Sequence, residues 1–292
     1  MTFSIVARSD DGESWGVAVA SKFLAVGSAV PAAVAGVGAI ATQADANISY
    51  KFLALAHLDD GATAPIALDR LLEEDDKRDH RQVGIVDVEG TAVTHTGSEC
   101  FAWAGGTTGA GYAIRGNILT GPEVVAAMEA SWLSSTDAPF AHRLTAALKA
   151  GDDAGGDSRG RQSAALLVVK DGAGYGGFDD VAADLRVDDH ADPVGELIRL
   201  LDLNDLYLTA SNEEEKVAID DALRAELDER SQAAGRADFR ALGRRGELRD
   251  ARGRGLQLAR PARAGDPARL ISLRACTSIA SVTTSSTRRD TP

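Results

Sequence analysis

The chain alternates short apolar runs with turns rich in glycine and aspartate, a pattern typical of antiparallel strands. Two pairs of these runs predict β-hairpins, Phe3–Arg8 with Trp15–Ala20 and Arg81–Asp87 with Thr91–Thr96. Further strand-like segments are Ala25–Val30, Val34–Thr42, Tyr112–Arg115, Gln162–Lys170 and Leu185–Val187. Two glycine-rich stretches are predicted to be loops, Gly105–Gly111 and Gly151–Gly160.

Apolar residues recur with helical spacing in other parts of the chain. The predicted helices are Ser49–Leu58, Ala64–Leu72, Pro122–Trp132, Pro139–Ala150, Pro193–Leu203 and Glu213–Arg230. Pro65 falls in a first turn, where its missing N–H is tolerated. Because runs of strands are followed by pairs of helices, the order predicts an α+β fold rather than alternating βαβ units. Two antiparallel sheets stacked face to face, with helices outside, would accommodate it.

The character of the sequence changes near residue 235. Residues 236–292 hold 13 arginines, no lysine and five acidic residues, and no apolar period is sustained there. Two interpretations are open: a basic disordered tail, or a stretch translated out of frame from a GC-rich gene, which we favour. The sequence therefore predicts a folded domain over 1–206, an acidic helical extension over 207–235 and a tail over 236–292.

The remainder of the chain is acidic, since residues 1–235 contain 18 basic and 39 acidic groups. Such a surface is typical of halophilic proteins and makes nucleic acid an unsuitable partner for the folded domain. No run approaches the ~18–20 apolar residues that span a bilayer, and no basic-then-apolar leader precedes the first strand. We expect a cytoplasmic homo-oligomer that does not contact a membrane.

Neither the cysteines nor the histidines form a metal-binding pattern. Cys100 and Cys276 lie far apart, which gives no disulfide framework and no ligand spacing. Cys100 lies in a strand-like stretch, where a packed small hydrophobe is the favoured interpretation. We expect no metal and no cofactor.

Thr2 is the most informative candidate for chemistry. Removal of the initiator methionine before a small residue would leave Thr2 as a free N-terminus, with a nucleophilic hydroxyl and a basic amine on one residue. An α-amine titrates at roughly 7.7–8.0, so a proton-accepting fraction exists near neutral pH. The alternative is that Thr2 is only a small residue at the start of a strand.

Several segments together carry a family resemblance. They are Met1–Ala7, Gly16–Phe23, Ala41–Ala44 with Asn47, His80–Gly84 with Asp87, Thr96–Gly97 with Glu99–Cys100 and Trp103–Gly105, Gly116–Asn117 with Gly121–Pro122, Gly155–Asp157 with Arg159–Ala164, and Leu185–His190 before Asp192–Pro193. Over roughly residues 1–206 the chain resembles the domain-of-unknown-function family numbered 1028, described as candidate N-terminal-nucleophile (Ntn) hydrolases. The resemblance implies the four-layer αββα sandwich shared with proteasome subunits and penicillin acylase. It implies no known substrate.

Candidate partners of Thr2 follow the neighbouring strands. Lys22 comes after a strand expected to pair with the first, so it could hold the Thr2 amine neutral by like-charge repulsion; a strand-end lysine reaching solvent is the alternative. Ser21 could relay a proton or cap a turn. Asn117 and Gln43 are candidate oxyanion donors. Asn47 could bind a substrate carbonyl or form a turn.

Charged residues suggest a substrate-binding rim. Arg81 would suit a substrate carboxylate, although a structural ion pair with one of the many acids is nearly as well supported. Asp157 and Arg161 lie in a dense charged loop before a strand, where a salt-bridged loop is the alternative.

Two functions stay open on these grounds. The first is an Ntn-type amidohydrolase that cleaves a C–N bond of a small, anionic amide, with Thr2, Lys22 and Asn117 catalytic and Ser21, Gln43, Asn47, Arg81, Asp157 and Arg161 binding substrate. The second is a binding or assembly protein that uses the same sandwich without catalysis.

Overall fold

The computed structural model describes residues 2–208, 216–218, 220–233 and 270–272. By its contacts the chain divides into two units, residues 1–201 and 202–292. The first unit contains both large sheets and the candidate site. The predicted boundaries after residues 206 and 235 stay predictions.

One sheet has six strands in the order β10-β9-β2-β1-β8-β7. These strands are β1 (Thr2–Arg8), β2 (Ser14–Ser21), β7 (Gly105–Gly109), β8 (Tyr112–Asn117), β9 (Ser163–Lys170) and β10 (Val181–Val187). Neighbouring strands pair antiparallel throughout this sheet. Strand β1 therefore lies inside the sheet between β2 and β8, which gives its first residue partners on both sides.

The second sheet has four antiparallel strands in the order β3-β4-β5-β6. They are β3 (Pro31–Val34), β4 (Gly38–Ala44), β5 (Arg81–Asp87) and β6 (Ala92–Thr96). The β5–β6 pairing is the second predicted hairpin, so both predicted hairpins are confirmed.

The described helices lie between and after these strands. They are α1 (Val26–Ala29), α2 (Tyr50–Asp59), α3 (Ala64–Glu73), α4 (Glu123–Ser134), α5 (Phe140–Asp153), α6 (Pro193–Tyr207) and α7 (Asp221–Ala233), with 3₁₀ turns at Arg78–His80 and Tyr175–Gly177. Pro65 lies in the first turn of α3, as predicted. No helix in the described part of the chain is long and apolar enough to cross a membrane.

Successive side chains of a strand point to opposite faces of the sheet, so neighbouring residues of one strand belong to different layers of the core. Phe3, Ile5 and Ala7 of β1 pack with α4, α5 and α6 on one side of the six-stranded sheet. Val6 belongs to a separate apolar cluster with residues of β4 and β5, between the two sheets. A third cluster joins the other face of the four-stranded sheet to α2 and α3. The α+β fold with two stacked antiparallel sheets and helices outside is as predicted.

The structure differs from the predicted elements in several places in the first unit. The predicted strand Val34–Thr42 is interrupted, because β3 ends at Val34 and β4 begins at Gly38, and Cys100 lies outside any strand. Ala25–Val30 is not a strand, because Ala25 adopts a left-handed φ of 53° and the short helix α1 follows. Gly105–Gly111 is not simply a loop, because residues 105–109 form β7, paired with β8. The predicted loop at Gly151–Gly160 begins later, since α5 continues to Asp153.

The second unit is described only in part. Lys216–Ala218 form β11, which pairs antiparallel with β12, Leu270–Ser272. The helix predicted from Glu213 begins at Asp221 as α7, and residues 213–215 lie outside the described residues. The predicted tail over 236–292 lies outside them too, apart from the three residues of β12.

Candidate functional site

Thr2 begins the interior strand β1 and is almost fully buried, with 5% of its surface exposed. It pairs with Asn117 at the end of β8. On the other side, the antiparallel register of β1 and β2 places the last residue of β2 opposite it. That residue is Ser21, whose Oγ lies 3.1 Å from the Thr2 Oγ1, within hydrogen-bond distance. The nucleophile candidate therefore has one hydroxyl partner fixed by strand pairing.

Two buried amides hold the main chain of Thr2, and a third holds those two. Gln43 Nε2 donates to the Thr2 carbonyl oxygen at 3.1 Å, and Asn117 Nδ2 approaches the same oxygen at 3.5 Å. Both amides also donate to Oε1 of Gln82, at 2.8 and 3.0 Å. Since Gln43 and Gln82 come from the four-stranded sheet, the amides join the two sheets beneath Thr2.

Gln82 is the centre of this amide network, which we define as Gln43, Gln82 and Asn117. Its Nε2 donates to the carbonyl oxygen of Gly116 at 2.7 Å and to Thr96 Oγ1 at 2.9 Å. Ser4 completes the network by donating its hydroxyl to Gln43 Oε1 at 2.6 Å. A fully satisfied buried network of this kind rigidifies the residues that it joins.

The predicted oxyanion role of Asn117 and Gln43 has no support in these contacts. Their N–H groups donate to the Thr2 carbonyl oxygen and to Gln82, and among the described hydrogen bonds neither donates to the Thr2 hydroxyl. The structure thus brings both residues to Thr2, as positioning residues for its main chain.

Backbone strain borders the network on one side. Ala44 follows Gln43 with φ of 71°, and Ile118 follows Asn117 with φ of 51°. Left-handed φ is rare for residues other than glycine and costs most for a β-branched residue such as isoleucine. Both strained residues and Asn117 line a cavity of about 250 Å³. Strain of this kind clusters at functional sites, which marks this end of the sandwich as the candidate site.

A larger cavity, of about 430 Å³, is lined by both neighbours of the Thr2–Ser21 contact rather than by Thr2 itself. Ser21, the hydroxyl partner of Thr2, lines it together with Phe3. The remaining lining comes from the end of α5, the loop that follows it and the start of α6: Asp152, Asp153, Gly155, Asp157, Gly160, Arg161, Ala191 and Pro193, with Ala20 from β2.

The described contacts of the Lys22 side chain are with the loop before β9. The side chain is exposed, and its ammonium donates to the carbonyl oxygen of Arg161 at 3.2 Å. Because β2 continues to Ser21, alternation gives the position facing Thr2 to Ser21 rather than to Lys22. A role of Lys22 in tuning the Thr2 amine stays a prediction that this geometry does not favour.

Asp157 fixes the chain at Lys22 rather than facing a ligand freely. Its Oδ2 accepts the backbone N–H of Lys22 at 2.8 Å, and its Oδ1 accepts that of Arg159 at 2.9 Å. Arg159 adds an ion pair to Asp157 at 3.4 Å. The loop that forms the cavity is therefore tied to the end of β2.

Arg81 forms a buried structural ion pair, the alternative that the sequence left open. Its Nε lies 2.8 Å from Asp75 Oδ2, and its Nη1 lies 3.2 Å from Asp45 Oδ2. Tyr50 and Asn47 donate to the same oxygen of Asp75, at 2.7 and 3.2 Å. The hydrogen bond from Arg81 holds the pKa of Asp75 well below its usual range. Burial, with the nearby Asp75, raises the pKa of Tyr50.

These contacts leave no support for the substrate-binding roles predicted for Arg81 and Asn47. The guanidinium of Arg81 is neutralised by carboxylates of the chain itself. Asn47 Oδ1 accepts from the backbone N–H and the hydroxyl of Ser49, as in a local turn. Since Arg81 is already paired with Asp45 and Asp75, it is not available to bind an anionic group of a substrate.

Arg161 lines the larger cavity but is also paired, since its Nε lies 2.7 Å from Asp152 Oδ1. The Asp152 side chain is 4% exposed, whereas that of Arg161 is 47% exposed. The other oxygen, Oδ2, is buried and has no hydrogen-bond partner among the described residues. The cavity thus contains a buried carboxylate that is only half satisfied.

A second unsatisfied charge lies in β8. Arg115 is fully buried, and its Nε and Nη2 have no hydrogen-bond partner in the described part of the chain. Its Nη1 donates to the carbonyl oxygen of Ala113 at 3.3 Å. Burial lowers the pKa of Arg115 to about 9. Its guanidinium fills space above Gly84 of β5, where any larger side chain would collide with it.

Sequence reasoning missed Ser4, Gln82, Asp75 and Asp152. One signal was present for the first two, since each is a polar residue inside an otherwise apolar strand segment. Asp75 and Asp152 stand among many aspartates, and nothing in their spacing distinguishes them. Within the described ranges, no group of three or more histidine, cysteine or acidic side chains is arranged to hold a metal ion.

Residues 2–197 match the model of a family of unknown function, DUF1028. A crystal structure of a protein of that family from Silicibacter pomeroyi is 32% identical, over 70% of this chain and 89% of that one, with a TM-score of 0.64. Anbu, an ancestral β-subunit from Yersinia bercovieri, aligns at 10% identity over 68% of this chain and 92% of that one. The TM-score of 0.30 is too low to support an inference about this chain. No curated protein matches the chain.

Proposed function

The chain belongs to the DUF1028 family of unknown function, and from that premise we propose that it is an Ntn-type amidohydrolase with Thr2 as its nucleophile. One observation carries the proposal: the Thr2 hydroxyl is held 3.1 Å from Ser21, and Ser21 lines a cavity of about 430 Å³. A cavity of this size suits a small ligand.

The chemistry begins when removal of Met1 frees the α-amine of Thr2. The neutral amine takes the proton of the Thr2 hydroxyl, and Oγ1 attacks the carbonyl carbon of the substrate amide. The amine then gives its proton to the leaving nitrogen, the C–N bond breaks, and an ester on Thr2 remains. A water molecule hydrolyses that ester and releases the acid.

The surrounding residues act on Thr2 by position. Ser21 orients Oγ1, and the amide network fixes the main chain of the same residue through the Thr2 carbonyl oxygen. Positioning of a reactive group contributes strongly to rate because small displacements are costly. The oxyanion role of Asn117 or Gln43 would require one amide to turn away from this carbonyl.

A second function is favoured by the burial of Thr2. With 5% of its surface exposed and its carbonyl fully hydrogen-bonded, Thr2 also fits a structural role at a strand start. The chain would then be a binding or assembly protein. A homo-oligomeric state, a cytoplasmic location and a halophilic source also remain proposals.

A hydrolysis screen separates the two functions. Purified protein is incubated with a library of small amides and peptides, and released amine is measured. Thr2→Ser keeps a hydroxyl and an amine on the first residue, whereas Thr2→Ala removes the hydroxyl. We expect turnover by the native chain and by Thr2→Ser, and none by Thr2→Ala. Equal turnover by Thr2→Ala would contradict the proposal.

A further inference from the structure

The larger cavity, which we call the Asp152 cavity, has an excess of negative charge. Its lining, given above, contains three aspartates and one arginine. Asp153 is largely exposed and pairs with Lys149, and Asp157 accepts two backbone N–H groups and pairs with Arg159. These two carboxylates are therefore satisfied by the chain itself.

Asp152 is the exception. One of its oxygens accepts from Arg161 Nε at 2.7 Å, and the other is buried without a partner among the described residues. A buried carboxylate oxygen that is left unpaired costs free energy, more than a neutral group would. A ligand that donates a hydrogen bond and carries positive charge would remove this cost, once rotation of the Asp152 side chain turns this oxygen towards the cavity that the residue lines.

We propose that the Asp152 cavity binds a cationic group, a primary ammonium or a guanidinium, with Asp152 as its acceptor. Since Ser21 both lines this cavity and contacts the Thr2 hydroxyl, a cation held there would be part of the molecule presented to Thr2. The inference rests on the proposed function and makes its substrate a positively charged amide. This reverses the anionic substrate predicted from Arg81 and Arg161, because both arginines are paired with acids of the chain.

The binding test uses three probes of matched shape: n-butylammonium, n-butanol and butyrate. Isothermal titration at constant ionic strength is carried out on the full chain and on its Thr2→Ala variant, so that binding is measured apart from hydrolysis. We expect n-butylammonium to bind about tenfold or more tightly than n-butanol, since hydrogen bonds to charged groups are the stronger class. Preference for butyrate, or no preference, would overturn the inference.

Two variants with opposite expected effects locate the site. Asp152→Asn should weaken n-butylammonium binding about tenfold or more, and Arg161→Gln should strengthen it, because it removes the cation that competes for Asp152. Asp184→Asn is the matched control, since it removes one carboxylate that pairs with Arg186 outside the cavity. The affinity of Asp184→Asn for n-butylammonium should equal that of the native chain.

The outcomes separate this inference from the proposed function. If Asp152→Asn does not fold, the comparison of the three probes and the Arg161→Gln variant test the cation site instead. Unchanged n-butylammonium binding in Arg161→Gln would overturn the inference. Binding of n-butylammonium without hydrolysis of any amide would support the cation site and contradict the proposed amidohydrolase activity. Hydrolysis of neutral amides without amine binding would keep the enzyme and reject the cation site.

Discussion

The hydroxyls of Thr2 and Ser21 lie 3.1 Å apart on neighbouring antiparallel strands. The contact follows from register: Phe3 pairs with Ala20, so the preceding residue of β1 faces the residue that ends β2. A side chain placed by the ladder of an interior strand is held more firmly than one on a loop. This relationship links the fold directly to the proposed nucleophile.

Ser21→Ala should lower kcat/KM on the amide found by screening by about 10–100-fold, because the Thr2 hydroxyl loses its orienting partner. Ser163→Ala is the control: it removes a buried serine that contacts Phe23 and Val26 instead of Thr2. Steady-state kinetics of both variants give the comparison. Equal losses in the two would mean that the effect is only structural.

Gln82→Met should reduce the free energy of unfolding by about 2–4 kcal/mol, since it leaves several buried groups of the amide network without partners. Urea unfolding followed by fluorescence measures the change. Gln162→Met removes one exposed hydrogen bond to Asp189 and should cost less than about 0.5 kcal/mol. Similar values for the two variants would contradict the role given to the network.

Asp75→Asn should destabilise the chain by about 3–5 kcal/mol at neutral pH, because it leaves the buried guanidinium of Arg81 without its closest carboxylate. Asp45→Asn removes a largely exposed partner of the same arginine and should cost at most about 1 kcal/mol. Thermal or urea unfolding of both variants tests the difference.

The ion pair of Asp75 with Arg81 also predicts that the stability of the chain depends on pH. The folded-state pKa of Asp75 is lowered, so its stabilising contribution is present above the unfolded pKa of about 3.9 and is lost as pH falls through the folded value. The stability difference between the native chain and Asp75→Asn should therefore narrow as the solution is acidified below about pH 4. A constant difference down to low pH would contradict the assignment.

Arg115→Met should stabilise the chain by about 1–4 kcal/mol at neutral pH, because a buried unpaired cation is replaced by an apolar side chain of similar length. The folded-state pKa is lowered to about 9, so the native chain gains stability as pH rises through that value. The advantage of the variant should therefore shrink at alkaline pH. Differential scanning calorimetry across this range measures it.

Arg143→Met is the matched control for that substitution. Arg143 is also buried, but it donates to the Trp132 carbonyl oxygen, stacks on the Trp132 ring and pairs with Asp10. Its removal should destabilise the chain. Stabilisation by both variants would show that burial of any arginine is unfavourable here, whatever its partners.

The hairpins and layers could be predicted from the sequence because alternation and turn residues are local signals. The strand β7 could not, because three of its five residues are glycines, which disfavour strands, and the segment is held there by pairing with β8. Likewise, the preference for Lys22 over Ser21 depended on where β2 ends, and a shift of one residue reverses which side chain faces Thr2.

Site partners were harder to predict than the fold. Arg81 in a strand is compatible with a substrate carboxylate or with an internal acid, and only the positions of Asp75 and Asp45 decide between them. The amide network joins residues from different strands of both sheets, so tertiary packing determines which amide contacts which carbonyl.

The intact mass of the purified chain shows whether Met1 is removed, and the proposed chemistry requires that removal because it needs a free amine on Thr2. We expect a mass lower than that of the full sequence by one methionine, with Thr2 as the first residue. Thr2→Leu, in which a large residue follows Met1, is the control and should keep its methionine. A folded native chain that retains Met1 would contradict the role of Thr2 as nucleophile, since Thr2 would then have no free amine to accept its hydroxyl proton.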